Sequence, residues 1–100
     1  MGQNADAIAS YKQALKINPG IAGVWYNIGN SQMVSKQYAD AIESYKQALK
    51  IDPKYASAWY NLGIAYKKAD QRDKMIEVYS TLKSIDPIKA ETFFNKHVQP

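Results

Sequence analysis

Cysteine is absent from this chain of 100 residues, which excludes disulfides, thiolate zinc sites and a cysteine nucleophile, and removes redox chemistry as a guide to compartment. Histidine occurs once, as His97; near a terminus and with no cysteine to pair with, it reads as a polar end-of-helix residue and not as a catalyst. Glycine is sparse and scattered. Gly29 and Gly63 stand alone inside helical patterns, so no phosphate-cradling loop is present. No apolar run approaches the length of a membrane span, and the N-terminus lacks a basic and then apolar leader. A soluble chain, cytoplasmic by default, is the expectation. Met1-Gly2 resembles an acylation start, but Asp6 stands where that motif requires Ser or Thr, so a cloning remnant is expected.

Charge of one sign is not gathered anywhere. The 13 Lys and Arg against 9 Asp and Glu give a net charge of +4, dispersed along the chain, which serves solubility and forms no stripe for nucleic acid. Asp70, Asp73 and Glu77 alternate with Arg72 and Lys74, the pattern of a solvated helix start and not of a cation site. No catalytic, cofactor or metal site is expected, and the chain is not read as an enzyme.

What is present is a period. Trp25 and Trp59 are 34 residues apart, as are Pro19, Pro53 and Pro87. The stretch YKQALKINP from Tyr11 to Pro19 returns as YKQALKIDP from Tyr45 to Pro53, and WYNIG from Trp25 returns as WYNLG from Trp59. One more step carries Trp59 onto Phe93, Tyr60 onto Phe94 and Asn61 onto Asn95, after which the likeness fails. Such a period marks stacked supersecondary units.

Apolar spacing predicts amphipathic helices between Asn4 and Ile17, from about Ala22 to Ser35, Tyr38 to Ile51, Ala56 to Ala69, Arg72 to Ile85, and a short one from Ala90 to Val98. Asn18-Pro19-Gly20, Asp52-Pro53-Lys54 and Asp86-Pro87 are stop signals, because the residue before Pro is pushed out of the helical region. Gly29 and Gly63 each cost their helix roughly 1 kcal/mol relative to Ala, so close helix contact must offset them. Ala41 and Ala48 are the expected small partners, with Trp25 and Trp59 filling the wider gap beside them. Arg72, Met75, Leu82 and Lys83 replace Tyr38, Ala41, Ala48 and Leu49 in the last copy, which predicts looser or differently angled packing there.

These residues resemble the tetratricopeptide repeat family: Trp25, Ile28 and Gly29, then Trp59, Leu62, Gly63 and Tyr66 in first helices, and Ala41, Tyr45, Ala48 and Pro53 in a second helix. Ala7, Tyr11, Ala14 and Pro19 match a second helix whose partner is not in the sequence. The resemblance, about two and a half repeats, implies an all-α fold, a right-handed superhelical stack of antiparallel helix pairs. It divides the chain into a partial repeat at 4–21, full repeats at 22–55 and 56–89, and a capping helix or further start at 90–100. It also implies a non-catalytic scaffold that binds an extended peptide or partner segment along a concave wall built from first helices.

On that wall the period generates an aromatic row, Tyr26, Tyr60 and Phe94, and an amide row, Asn27, Asn61 and Asn95. Asn30, Ile64, Lys67 and Lys68 complete the expected peptide-binding set. An amide offers both donor and acceptor and can pair with peptide backbone whatever its side chains; the same amides can instead bond neighbouring helices. The family's carboxylate clamp is not expected, since Tyr26, Ser57 and Asn61 stand where basic residues are needed. Two alternatives stay open: self-association through exposed helix ends, where Ile8 and Tyr11 lack an internal cover, or a regulatory segment of a larger enzyme such as a glycosyltransferase. Because the pattern starts in mid-repeat, a piece of a longer array is expected. Neither nucleic acid nor membrane is an expected partner.

Overall fold

In the computed structural model, backbone is described for residues 2–99 and side chains for residues 6–99. The elements are α1 (Gly2–Ile17), α2 (Ala22–Val34), α3 (Tyr38–Ile51), α4 (Ala56–Lys68), α5 (Arg72–Ile85) and α6 (Pro87–Phe93), the last running into a π-helical turn, Phe94–Val98. Among the described residues there is no strand. Each helix packs antiparallel on the next, and the pairs stack in a right-handed superhelical array with principal extents of 38 × 26 × 18 Å.

The helices end where the sequence stops them. Asn18 Oδ1 accepts from the backbone of Gly20, and Asp52 Oδ1 from that of Lys54, so both Pro-containing turns are held by a side chain mimicking a backbone turn. The indoles secure the same turns, with Trp25 Nε1 donating to the Pro19 carbonyl at 3.4 Å and Trp59 Nε1 to the Pro53 carbonyl at 2.7 Å. The opposite ends of α2 and α4 close with Lys36 and Asp70 in the left-handed region, φ 61° and 60°. Gln37 N then reaches Gln32 O and Gln71 N reaches Tyr66 O, each at 2.8 Å, the wide bond of a Schellman closure.

The core lies where α3, α4 and α5 meet. Ala41, Tyr45, Ala48, Ala58, Ala65, Met75, Leu82, Ala90 and Phe93 all have 0% exposure. The sequence predicts Ala41 and Ala48 as the partners of the glycines, but the nearest side chains are aromatic. A methyl group on Gly29 would lie 2.6 Å from the Tyr45 ring, and one on Gly63 2.5 Å from the Phe93 ring. Each notch thus receives an aromatic edge. Trp25 and Trp59 are only half-buried, because their indole N–H groups must reach the turn carbonyls.

The last copy departs from the first. One period after Tyr45 stands Tyr79, yet Tyr79 is half-buried, its ring 5.3 Å from Phe94, and Phe93 enters the Gly63 notch in its stead. Met75 and Leu82, bulkier than Ala41 and Ala48, occupy the α4–α5 seam and are completely buried. The expected difference in packing is therefore a change of occupant, without loss of burial.

The final helix also starts earlier than the expected Ala90. Asp86 Oδ1 accepts from Lys89 N at 3.1 Å and Pro87 occupies the first turn, so Asp-Pro opens α6 as N-cap and N1 while also ending α5. Arg72, one of the residues that breaks the repeat, donates from Nη2 to the Val98 carbonyl at 3.0 Å. It thereby satisfies a carbonyl of the terminal π turn.

Candidate functional site

The helices α2, α4 and α6 share one face of the stack. A groove of about 570 Å³ opens there, lined by Tyr26, Ser57, Tyr60, Asn61, Asp86, Ile88, Lys89 and Thr92. The period explains the first half of this lining: α2 and α4 repeat in register, so Tyr26 and Tyr60 stand at equivalent places. The second half follows from the early start of α6, which brings residues 86–92 to the groove edge.

Polar groups behind the lining are tied together. Asn61 Nδ2 donates to Asn30 Oδ1 at 2.9 Å and to Tyr26 Oη at 3.1 Å. Tyr45 Oη donates to the same Asn30 oxygen at 2.5 Å. One amide thereby links α2 to α4, while a phenol from α3 joins them from below. Among the described residues no buried side-chain polar atom lacks a partner, as a network in low dielectric requires. Burial pushes the Tyr45 phenol well above its ordinary value, with a further push from Tyr26, so it stays protonated and able to donate.

Aromatic rings form the floor. Tyr26 lies 5.0 Å from Tyr55 and 5.9 Å from Tyr45. Tyr60 meets Phe93 edge-on at 5.3 Å and His97 edge-on at 5.8 Å. Lys89 Nζ stands 5.8 Å from the Tyr60 ring centre, within cation–π range. It takes the place that Tyr55 holds beside Tyr26 one period earlier. Burial raises the phenols of Tyr55 and Tyr60. His97 is lowered, first by burial and then by Lys67, Lys96 and Lys68, so its imidazole is neutral at neutral pH.

The expected site residues divide. Tyr26, Tyr60 and Asn61 come together in the groove. Asn30 sits behind them, half-buried, its oxygen already accepting two bonds. Ile64 is half-buried against the core. Asn27 and Asn95 are exposed, as are Lys67 and Lys68 at the end of α4. Phe94 turns to Tyr79, so the aromatic row is two members long in the groove. Sequence reasoning missed Asp86, Ile88, Lys89 and Thr92 as lining. The available signal was Asp86-Pro87, an N-cap followed by Pro at N1, read only as a stop.

The groove can exchange hydrogen bonds through hydroxyls and an amide and offer aromatic and aliphatic contact. Among the described residues no cluster of three or more His, Asp or Glu is placed to hold a metal ion. No helix among them is long and apolar enough to cross a membrane.

Comparison with known proteins agrees with this architecture. A family profile described as TPR repeat matches residues 1–33 and 35–70, and one described as tetratricopeptide repeat matches residues 56–89. Among solved structures, a crystal structure of MamA superposes with a TM-score of 0.81 at 26% identity, covering 98% of this chain and 68% of that one. A second, described as the MamA protein, gives 0.79 at 26% identity over 92% of this chain and 54% of its own. Comparison with curated protein sequences finds no significant match.

Proposed function

Because the chain belongs to the tetratricopeptide repeat family, a family of protein-interaction scaffolds, we propose that it holds an extended peptide segment of a partner protein in the groove of α2, α4 and α6. The observation that supports this is the mixed lining. The Ser57 hydroxyl and the oxygens of Asn61 and Thr92, whose donors are used within the protein, stand next to the rings of Tyr26 and Tyr60 and the 80% exposed side chain of Ile88. The oxygens serve peptide N–H groups, the Ser57 hydroxyl can also serve a C=O group, and rings add apolar contact at low conformational cost. Asn27 stands one period before Asn61 and is exposed. Recognition of this kind reads backbone more than side chains.

The test uses peptides of about twelve residues, which at roughly 3.3 Å per residue span the 38 Å length of the molecule. Titration followed by NMR should shift the signals of Ser57, Tyr60 and Ile88. Scrambling the peptide's side chains should change affinity only a few-fold. Ile88→Asp, at an exposed position, should weaken binding without altering the unfolding midpoint. Unchanged affinity in Ile88→Asp, with shifts confined to other faces, would overturn the proposal.

A further inference from the structure

The opposite face carries a second groove, of about 460 Å³, between α3 and α5 with α4 as its floor. Leu49, Leu62, Tyr66 and Val78 close its floor and are buried, which leaves the half-buried Trp59 as the accessible apolar side chain; Lys46, Lys50, Lys74, Glu77 and Thr81 form the rim. All four charged residues are exposed. Lys46 has one ionic partner, Glu43 at 3.9 Å, with both side chains largely in water, a pairing too weak to neutralise it.

The repeat supplies its own control. The residues one period earlier hold the same places in the preceding unit, so changes at buried positions, which follow the altered packing around Gly63 and Phe93, can be told apart from changes on the exposed rim. Leu49, Trp59 and Leu62 do keep their type, as Leu15, Trp25 and Ile28. Three positions change character. Tyr66 replaces Gln32, Val78 replaces Ser44 and Lys74 replaces Asp40. In the earlier unit Ser44 Oγ donates to Gln32 Oε1 at 2.6 Å, so that place is closed by a polar pair. In the later unit an aromatic ring and an isopropyl group stand there, and the rim goes from balanced (Lys12 and Lys16 against Asp40 and Glu43) to net +2 (Lys46, Lys50 and Lys74 against Glu77).

From the change of rim charge around the half-buried Trp59 we infer that the α3–α5 groove is a docking site for an acidic amphipathic helix that presents a large apolar side chain. The volume is within the range of ligand sites and admits side chains, not a folded domain. The Trp59 ring anchors the segment, and the lysine rim selects its charge and speeds encounter. This site is separate from the groove of α2, α4 and α6.

A synthetic amphipathic helix of about 14 residues, with Leu at i, i+3, i+4 and i+7 and Glu at flanking positions, is the probe; its Lys-for-Glu counterpart is the control. The two indole N–H signals report the two units separately. The acidic peptide should shift Trp59 and the Val78 methyls and leave Trp25 in place, while the basic peptide should bind at least about tenfold more weakly, consistent with charge reversal at a rim. Lys74→Asp, at an exposed position, should weaken the acidic peptide by about tenfold and steepen nothing in thermal unfolding. The combination of Lys46→Glu and Lys74→Asp, both at exposed positions, should abolish the Trp59 shift and leave the unfolding midpoint in place. Equal shifts at both indoles, equal affinity for both peptides, or binding to phosphatidylserine vesicles through Trp59 with none to the peptide would each overturn the inference.

Discussion

A methyl group on Gly29 would come within 2.6 Å of Cε1 of Tyr45, so this pair sets the distance between α2 and α3. Alanine is the better helix former by about 1 kcal/mol, but forcing atoms into a filled seam costs about 1–3 kcal/mol. Gly29→Ala should therefore lower stability by up to about 2 kcal/mol in denaturant titration. Gly23 has nothing within 4 Å of the same added carbon, and Gly23→Ala should raise stability by about 0.5 kcal/mol. Equal effects at the two glycines would show that the Tyr45 contact does not govern the helix spacing.

Asn61 has a structural role whatever binds beside it. Its amide nitrogen serves Asn30 and Tyr26, and removing it strands part of a half-buried network. Asn61→Ala should cost about 1–2 kcal/mol, read from the urea midpoint, and the loss should be non-additive with Asn30→Ala. Additivity in the double mutant would show that the two amides do not act together.

Lys36 and Asp70 adopt the left-handed conformation without being glycine. A side chain there costs about 1–2 kcal/mol, partly relieved for Asp by its short polar group, whereas Gly brings back some unfolded-state entropy. Lys36→Gly should stabilise by about 0.5–1 kcal/mol, and Asp70→Gly by less. Thermal unfolding of the two variants gives the ordering directly, and destabilisation at Lys36 would contradict it.

His97 has its protonation disfavoured, first by burial and then by Lys67, Lys96 and Lys68. Protons therefore bind the unfolded chain more readily. Its contribution to stability is complete above the unfolded value of 6.5 and disappears as pH falls through the lower folded value. Acidification from neutral pH should lower the unfolding midpoint, and His97→Phe, which keeps an aromatic ring against Tyr60 and Phe93, should flatten that slope. A slope unchanged in His97→Phe would assign it to other groups.

The helix pattern was legible because Pro19, Pro53 and Pro87 punctuate it and because apolar residues recur at helical spacing. Ala22, Tyr38, Ile51, Ala56, Arg72 and Ile85 bound the elements where the spacing placed them. The end of the chain was less legible. Identical Asp-Pro pairs make an Asx turn at Asp52 and an N-cap at Asp86, and the choice depends on what the following segment packs against. Phe93 is Trp59's successor in sequence and Tyr79's substitute in space, a swap that periodicity cannot express. In the candidate groove Tyr26 and Tyr60 were legible as equivalent positions. The use of Asn61 inside the protein was not, because one amide can face a ligand or a neighbouring helix with the same spacing.

The Asn61 amide ties α2 to α4 along one edge of the stack, and directional bonds of 2.9 and 3.1 Å set a length there. Around α4 on the other side lie Leu49, Leu62 and Val78, whose hydrocarbon contact sets an area and tolerates sliding. The two sides of α4 are therefore specified differently: a substitution on the amide side is judged by direction and distance, one on the hydrocarbon side by volume.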